Sequence, residues 1–148
     1  LKYAPVLGWF GLRIGCICVE RGKRIQAIKS MVAAVNSGNS PSGQLIIYPQ
    51  GTRIAPGASA PYKIGTAVLY QETGQTCIPA ATNVGVFWPK YGILRQPGLA
   101  VIEFLPAIQP GLSKELFMHR LEEVIEQSSN TLLEEAATDG FYPVGQDT

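Results

Sequence analysis

The residues best suited to chemistry are Tyr48-Pro49-Gln50-Gly51-Thr52-Arg53, which directly follow the apolar run Leu45-Ile46-Ile47. A buried-strand pattern that runs into a glycine, a hydroxyl and an arginine offers backbone N–H groups and a fixed positive charge to an anion at the end of a strand. Pro56-Gly57 and Tyr62-Lys63-x-Gly65 follow within a few residues. Arg21 closes an earlier expected strand, and Arg53 lies just beyond the next one. If those two strands are parallel neighbours, both guanidinium groups emerge at one sheet edge, where each fork can give a phosphate two parallel N–H bonds. Lys63 adds a third positive charge at the start of the following helix. The competing reading is that Arg53 only ties down its own loop, since Gly-Thr-Arg by itself is a weak motif.

Other reactive side chains point to little. His119 is the only histidine. It lies two positions from Phe117, about 200° round a helix, among glutamates on the polar face. No second histidine and no Ser/His/Asp set accompany it, so the stretch has no evident general base. Cys16, Cys18 and Cys77 are odd in number and follow no ligand spacing. They read as buried thiols in a reducing compartment, with no metal site expected.

These groups must be positioned by a core, and 148 residues with 46% hydrophobic and 16% charged content are enough for one globular domain. A strand is expected at 15–19, then a helix at 21–35 with a stripe of Ile25, Ile28, Val32 and Val35. A second strand follows at 44–48, leading into the Gly/Pro-rich loop 49–61. A short helix at 64–72 stops at Gly74. A strand at 76–82 is interrupted by Pro79, and a last strand is expected at 99–105. Ser113 caps a final helix that runs to about Ala137, with an inward stripe of Phe117, Leu121, Val124, Ile125, Ser128 and Leu132. Residues 138–148 read as a flexible tail. The alternation implies an α/β domain with a mixed, partly parallel sheet flanked by helices.

The net charge of +1 conceals a split. Through Arg95 ten basic residues face two acidic ones, a net +8; beyond it two face nine, a net −7. A basic body suits an anionic partner, against the plainer alternative of solvated surface charge. No apolar run reaches the roughly 18 residues of a spanning helix, and no signal peptide is evident.

Taken together, the motifs resemble those of the glycerolipid acyltransferases. Gly15-Cys16-Ile17-Cys18-Val19-Glu20-Arg21 is similar to the second sequence block of that family. Tyr48-Pro49-Gln50-Gly51-Thr52-Arg53 is similar to the third, usually aromatic-Pro-Glu-Gly-Thr-Arg, and Ile78-Pro79-Ala80-Ala81 to the fourth. Pro56-Gly57, Tyr62-Lys63-x-Gly65 and Phe87-Trp88-Pro89 look like the bacterial lysophosphatidic acid acyltransferases. The resemblance implies transfer of an acyl group from acyl-CoA or acyl carrier protein to the sn-2 hydroxyl of lysophosphatidic acid, giving phosphatidic acid, with no further cofactor. It implies that Arg21, Gln50, Gly51, Thr52, Arg53 and Lys63 hold the acceptor phosphate. It also implies work at a membrane surface, on the cytoplasmic face of a bacterial inner membrane, with no nucleic-acid partner. Trp9 and Phe10 could meet the bilayer or an acyl chain, or belong to the core.

Two departures stand out. The family's first block, His-x-x-x-x-Asp, is not in the chain, and the sequence opens on Leu1. The expectation is an N-terminally truncated portion of the enzyme that carries the phosphate site but no catalytic base, and is therefore inactive alone. Gln50 stands where glutamate is usual, which keeps the shape but drops a charge. That change could strengthen anion binding or unsettle an arginine that the acid orients. A non-catalytic lipid-phosphate binder of the same fold is the main alternative. A nucleotide-binding protein is weaker, because neither the Gly-x-x-x-x-Gly-Lys nor the Gly-x-Gly-x-x-Gly spacing is present.

Overall fold

The computed structural model describes residues 45–88 and 95–141, together with positions 28, 29, 32 and 33. The chain divides into two compact units, Leu1–Ile46 and Ile47–Thr148. In the first, Ile28, Lys29, Val32 and Ala33 are helical, with Ile28 and Val32 partly buried and Lys29 and Ala33 exposed. That alternation matches the expected helical stripe. The expected strand at 15–19, Cys16, Cys18 and Arg21 lie outside the described residues, as do Trp9 and Phe10.

Among the described residues the second unit holds three helices and a two-stranded ribbon. Helix α1, Gly65–Thr73, ends where Gly74 adopts φ 59° and donates its N–H to Tyr70 O at 3.1 Å. A left-handed stop suits glycine because it has no Cβ to clash. Strand β1, Ala80–Thr82, leads into the single turn α2, Val84–Phe87. Strand β2, Ile102–Phe104, then returns beside β1, and α3, Lys114–Thr138, closes the unit. Ser113 caps α3 as expected, its Oγ accepting from Leu116 N at 3.2 Å.

The expected partly parallel sheet is not what the described residues form. Strands β1 and β2 are antiparallel, pairing Ala80 with Phe104, Ala81 with Glu103 and Thr82 with Ile102. Upstream, Cys77 and Ile108 form an isolated antiparallel bridge, so the pairing slips by one residue across Pro79. Pro79 has no N–H to give the ladder, yet its carbonyl still accepts from Leu105 N at 2.9 Å. Of the expected strand at 44–48, the described residues 45–48 form none. Leu45, Ile46, Ile47 and Tyr48 are exposed and belong to no ladder. An extended segment becomes a strand only when its N–H and C=O groups find a partner, and the neighbour expected for it falls outside the described residues.

Two apolar clusters hold the second unit. One joins Ala67, Tyr70, Ile108, Phe117 and Leu121, so α1 lies on α3. Within it the rings of Tyr70 and Phe117 stack at 3.9 Å. The Tyr70 hydroxyl donates to Gln109 O at 2.5 Å and accepts from Leu112 N at 3.2 Å, which satisfies a buried polar tip. The other cluster joins Val86, Phe87 and Ala136. Phe141, in the segment expected to be a free tail, packs its ring against Phe87 with centroids 5.4 Å apart. Gly98 is required here, because a Cβ at that position would lie 2.0 Å from the Phe87 ring.

The ribbon's two faces differ. Ala81 is buried on the side that meets α3, where the Ser128 hydroxyl donates to the Glu103 carboxylate. Ser128 therefore completes the α3 stripe through a hydrogen bond, not through apolar contact. Ala80, Thr82, Ile102 and Phe104 lie on the other face and are exposed.

Candidate functional site

The residues expected to bind an anion are set by a tight turn. Gly51 N donates to Tyr48 O at 2.9 Å, closing a four-residue turn with Pro49 in its second position, where a fixed φ favours it. Gly51 itself takes φ 71°, a left-handed conformation that side chains resist. The chain then runs out through a second turn at Pro56-Gly57, where Ala58 N donates to Ala55 O at 3.0 Å. Pro56 seats this loop on α2: a Cβ on Gly85 would fall 2.9 Å from the proline ring.

The loop returns to its starting point. Lys63 N donates to Pro49 O at 2.8 Å, so residues fourteen apart in sequence are joined at the backbone. The Lys63 side chain lies across Gly51, with Cγ and Cε 3.7 and 3.9 Å from where a Cβ there would sit. Gly51, Thr52, Arg53 and Lys63 are exposed, and Gln50 is partly buried. The structure thus brings the Lys63 side chain to Gly51, within the Gln50–Arg53 segment. Arg21, the remaining expected phosphate ligand, lies outside the described residues.

Two further features shape this place electrostatically. Helix α1 begins just after Lys63 with no side-chain cap and no acidic residue in its first turn. Its positive end is therefore not neutralised by its own side chains. On the other side of Lys63, the Tyr62 hydroxyl donates to Glu126 Oε1 on α3 at 2.9 Å. Burial, the hydrogen bond to Glu126 and the charges of Glu126 and Glu122 push the Tyr62 pKa well above the tyrosine range. Tyr62 is thus an anchor, neutral at physiological pH, that fixes the backbone from which Lys63 projects. It was not expected from the sequence, which gives no cue that residues 62 and 126 meet.

Asn83 was also missed. It is almost fully buried between β1 and α2. Its Oδ1 accepts from Val101 N at 2.8 Å, its Nδ2 donates to Leu99 O at 3.3 Å, and its own N–H reaches Val101 O at 3.4 Å. It extends the ribbon past the point where regular pairing stops. A polar residue at the end of an apolar strand pattern was the available signal.

His119 is exposed on α3, as expected. Position 124, where a His-x-x-x-x-Asp block starting at His119 would need aspartate, is Val124. Cys77 is a half-buried free thiol whose pKa burial pushes up, the opposite of an activated nucleophile. Among the described residues no cluster of His, Cys, Asp or Glu could hold a metal ion, and no helix is long and apolar enough to cross a membrane. Two concavities lie elsewhere. One of about 30 Å³ is bordered by Phe87, Leu99 and Phe141, and a shallow groove of about 280 Å³ runs by Tyr70 and Leu112. Gly51, Thr52 and Arg53 of the turn border neither concavity and are exposed.

The family model that describes the acyltransferases matches residues 1–83, more than half of the chain. The chain belongs to the acyltransferase family. The matched stretch takes in Arg21, the turn at Gly51 and Lys63. A 1-acyl-sn-glycerol-3-phosphate acyltransferase of Pseudomonas aeruginosa is 29% identical over 108 residues, covering 73% of this chain and 42% of that protein. A protein of the same name from Saccharomyces cerevisiae is 28% identical over 152 residues, covering all of this chain and 49% of that protein. This acyltransferase-family chain thus spans somewhat less than half the length of the relatives it matches. No solved structure matches it.

Proposed function

We propose that these residues form part of a 1-acyl-sn-glycerol-3-phosphate acyltransferase and hold the phosphate of its acceptor. The observation that carries this reading is the return of Lys63 onto the Gly51 turn. It lays the Lys63 side chain across the left-handed Gly51, which Thr52 and Arg53 follow directly in sequence, with the uncapped start of α1 just after Lys63. A phosphate monoester fits that set, with a fork from Arg53, a point charge from Lys63 and a neutral donor from Thr52. Gln50 adds an amide in place of a carboxylate, which leaves the turn free of negative charge.

In the reaction proposed, the sn-2 hydroxyl oxygen of lysophosphatidic acid attacks the thioester carbonyl of acyl-CoA or acyl carrier protein. The C–S bond breaks, and the hydroxyl proton passes through a base to the departing sulfur. The role of this chain is to bind and orient: fixing the phosphate sets how far the hydroxyl can stand from it. The base is supplied from outside these 148 residues, because His119 lacks the paired aspartate and lies on the exposed face of α3. The product would be phosphatidic acid, made at the cytoplasmic face of a membrane. The lack of a His-x-x-x-x-Asp block within the chain equally favours a second reading, a lipid-phosphate binder that performs no transfer.

The test pairs binding with turnover. The 148-residue chain should bind lysophosphatidic acid without consuming acyl-CoA, and the full-length protein should form phosphatidic acid. Arg53→Ala should weaken acceptor affinity about tenfold or more, as expected for losing a charge-assisted contact. Unchanged affinity in Arg53→Ala would sink the phosphate assignment. A full-length protein that binds the acceptor but never acylates it would establish the second reading.

A further inference from the structure

Of the glutamates on α3, Glu115, Glu123, Glu134 and Glu135 are exposed, while Glu122 and Glu126 are partly buried. A surface acid on a long helix needs no explanation. Glu126 differs in what it holds. Among the described residues it forms no ion pair, and its Oε1 accepts from the Tyr62 hydroxyl at 2.9 Å. The two residues are 64 apart in the chain, so the bond ties α3 to the loop that leads into α1. Glu123, by contrast, pairs with Arg120 on its own helix.

Tyr62 directly precedes Lys63, whose N–H donates to Pro49 O at 2.8 Å and whose stem crosses Gly51. The path from α3 to the turn is therefore two hydrogen bonds joined by one peptide unit. The Tyr62 ring also packs against the apolar cluster that holds Ala67, Tyr70 and Phe117. Apolar contact is non-directional, whereas a hydrogen bond fixes where the ring points. Helix α3 can serve as the fixed end of the path because it is anchored separately. Phe117 stacks on Tyr70, the Tyr70 hydroxyl bonds to Gln109 O and Leu112 N, and Ser113 caps the helix. None of these anchors involves Glu126, so its carboxylate is spare for the loop.

We infer that Glu126 is a positioning residue of the acceptor site, acting through Tyr62 to hold Lys63 over the Gly51 turn. The inference rests on the acceptor-phosphate reading above. It adds to that site a residue of α3, outside the stretch 1–83 that the family model matches. The charge of Glu126 makes the role testable by sign. Acting through its field alone, a carboxylate opposes the binding of an anion, so deleting it would tighten phosphate binding. Deleting a support for Lys63 loosens it.

The experiment is calorimetric titration of the 148-residue chain with a short-chain lysophosphatidic acid below its micellar concentration. Glu126→Ala should raise Kd about threefold. That is less than the roughly tenfold carried by Lys63, because a support cannot contribute more than the group it holds. Glu126→Gln removes the charge but keeps an acceptor oxygen, and should restore most of the affinity lost in Glu126→Ala. In a Lys63→Ala background, Glu126→Ala should change Kd by less than about 1.5-fold, since the group it positions is gone. Tyr62→Phe cuts the same link from the other end and should match Glu126→Ala; it carries the test if Glu126→Ala does not fold. Three results would each overturn the inference: tighter or unchanged binding in both Glu126→Ala and Tyr62→Phe, no rescue by Glu126→Gln, or an equal loss with and without Lys63. If Lys63→Ala weakens binding and Glu126→Ala does not, this inference fails while the acceptor reading stands. A wild-type chain that binds no lysophosphatidic acid would overturn both.

Discussion

Removing the Lys63 ammonium tests the candidate site most directly. The side chain crosses Gly51 with Cε 3.9 Å from the position of a hypothetical Cβ there, so its charge lies at the turn. Its backbone is held independently, by Lys63 N to Pro49 O and by Tyr62 to Glu126. Lys63→Ala therefore deletes a charge and a stem without releasing the loop. A hydrogen bond to a charged group is worth about 1.5–3 kcal/mol. Lys63 is exposed, and solvent screening places its contribution at the lower end. About 1.4 kcal/mol corresponds to a tenfold loss of affinity. Titration calorimetry with a short-chain lysophosphatidic acid, below its micellar concentration, measures this. The gap between wild type and Lys63→Ala should narrow at high salt, and Lys63→Arg should recover part of the affinity. A variant with an unchanged melting temperature and a Kd within about twofold of wild type would refute the reasoning.

Two further predictions concern what holds the ribbon and the loop. Asn83→Ala leaves Val101 N–H and Leu99 C=O without their side-chain partners in a nearly closed site. It should cost about 2 kcal/mol or more in urea denaturation, and a loss below about 0.5 kcal/mol would show that water replaces the amide. Tyr62→Phe removes the hydrogen bond to Glu126 and carries a pH signature. Because the folded state raises the Tyr62 pKa, its contribution is fully present below the ordinary tyrosine value of about 10 and is lost as pH rises through and beyond that value. Wild type should lose stability above pH ~10 more steeply than Tyr62→Phe, and parallel curves would contradict the assignment.

What the sequence disclosed follows the range of the forces involved. Signals written within one or two turns of chain survived: the Gly74 stop, the Ser113 cap, the Phe117–Leu121–Leu132 stripe, and the alternation of Ile28 and Val32 with Lys29 and Ala33. The Gly51 turn and Lys63 could be grouped because the loop between them is short and closes on itself. Sheet pairing was not legible in the same way. The apolar run Leu45-Ile46-Ile47 has the composition of a buried strand, but composition cannot supply the second backbone that a ladder needs. Likewise, nothing local to Asn83 names Val101, and nothing local to Tyr62 names Glu126. The contact of Tyr62 with Glu126 sets where Lys63 is presented. A surface residue acts only if something beneath it is fixed. Lys63 rests on Tyr62 and Pro49. If those supports are removed, the charges remain in the sequence but lose their address. Substitution at the supports should therefore impair binding through position, with the charged groups themselves intact.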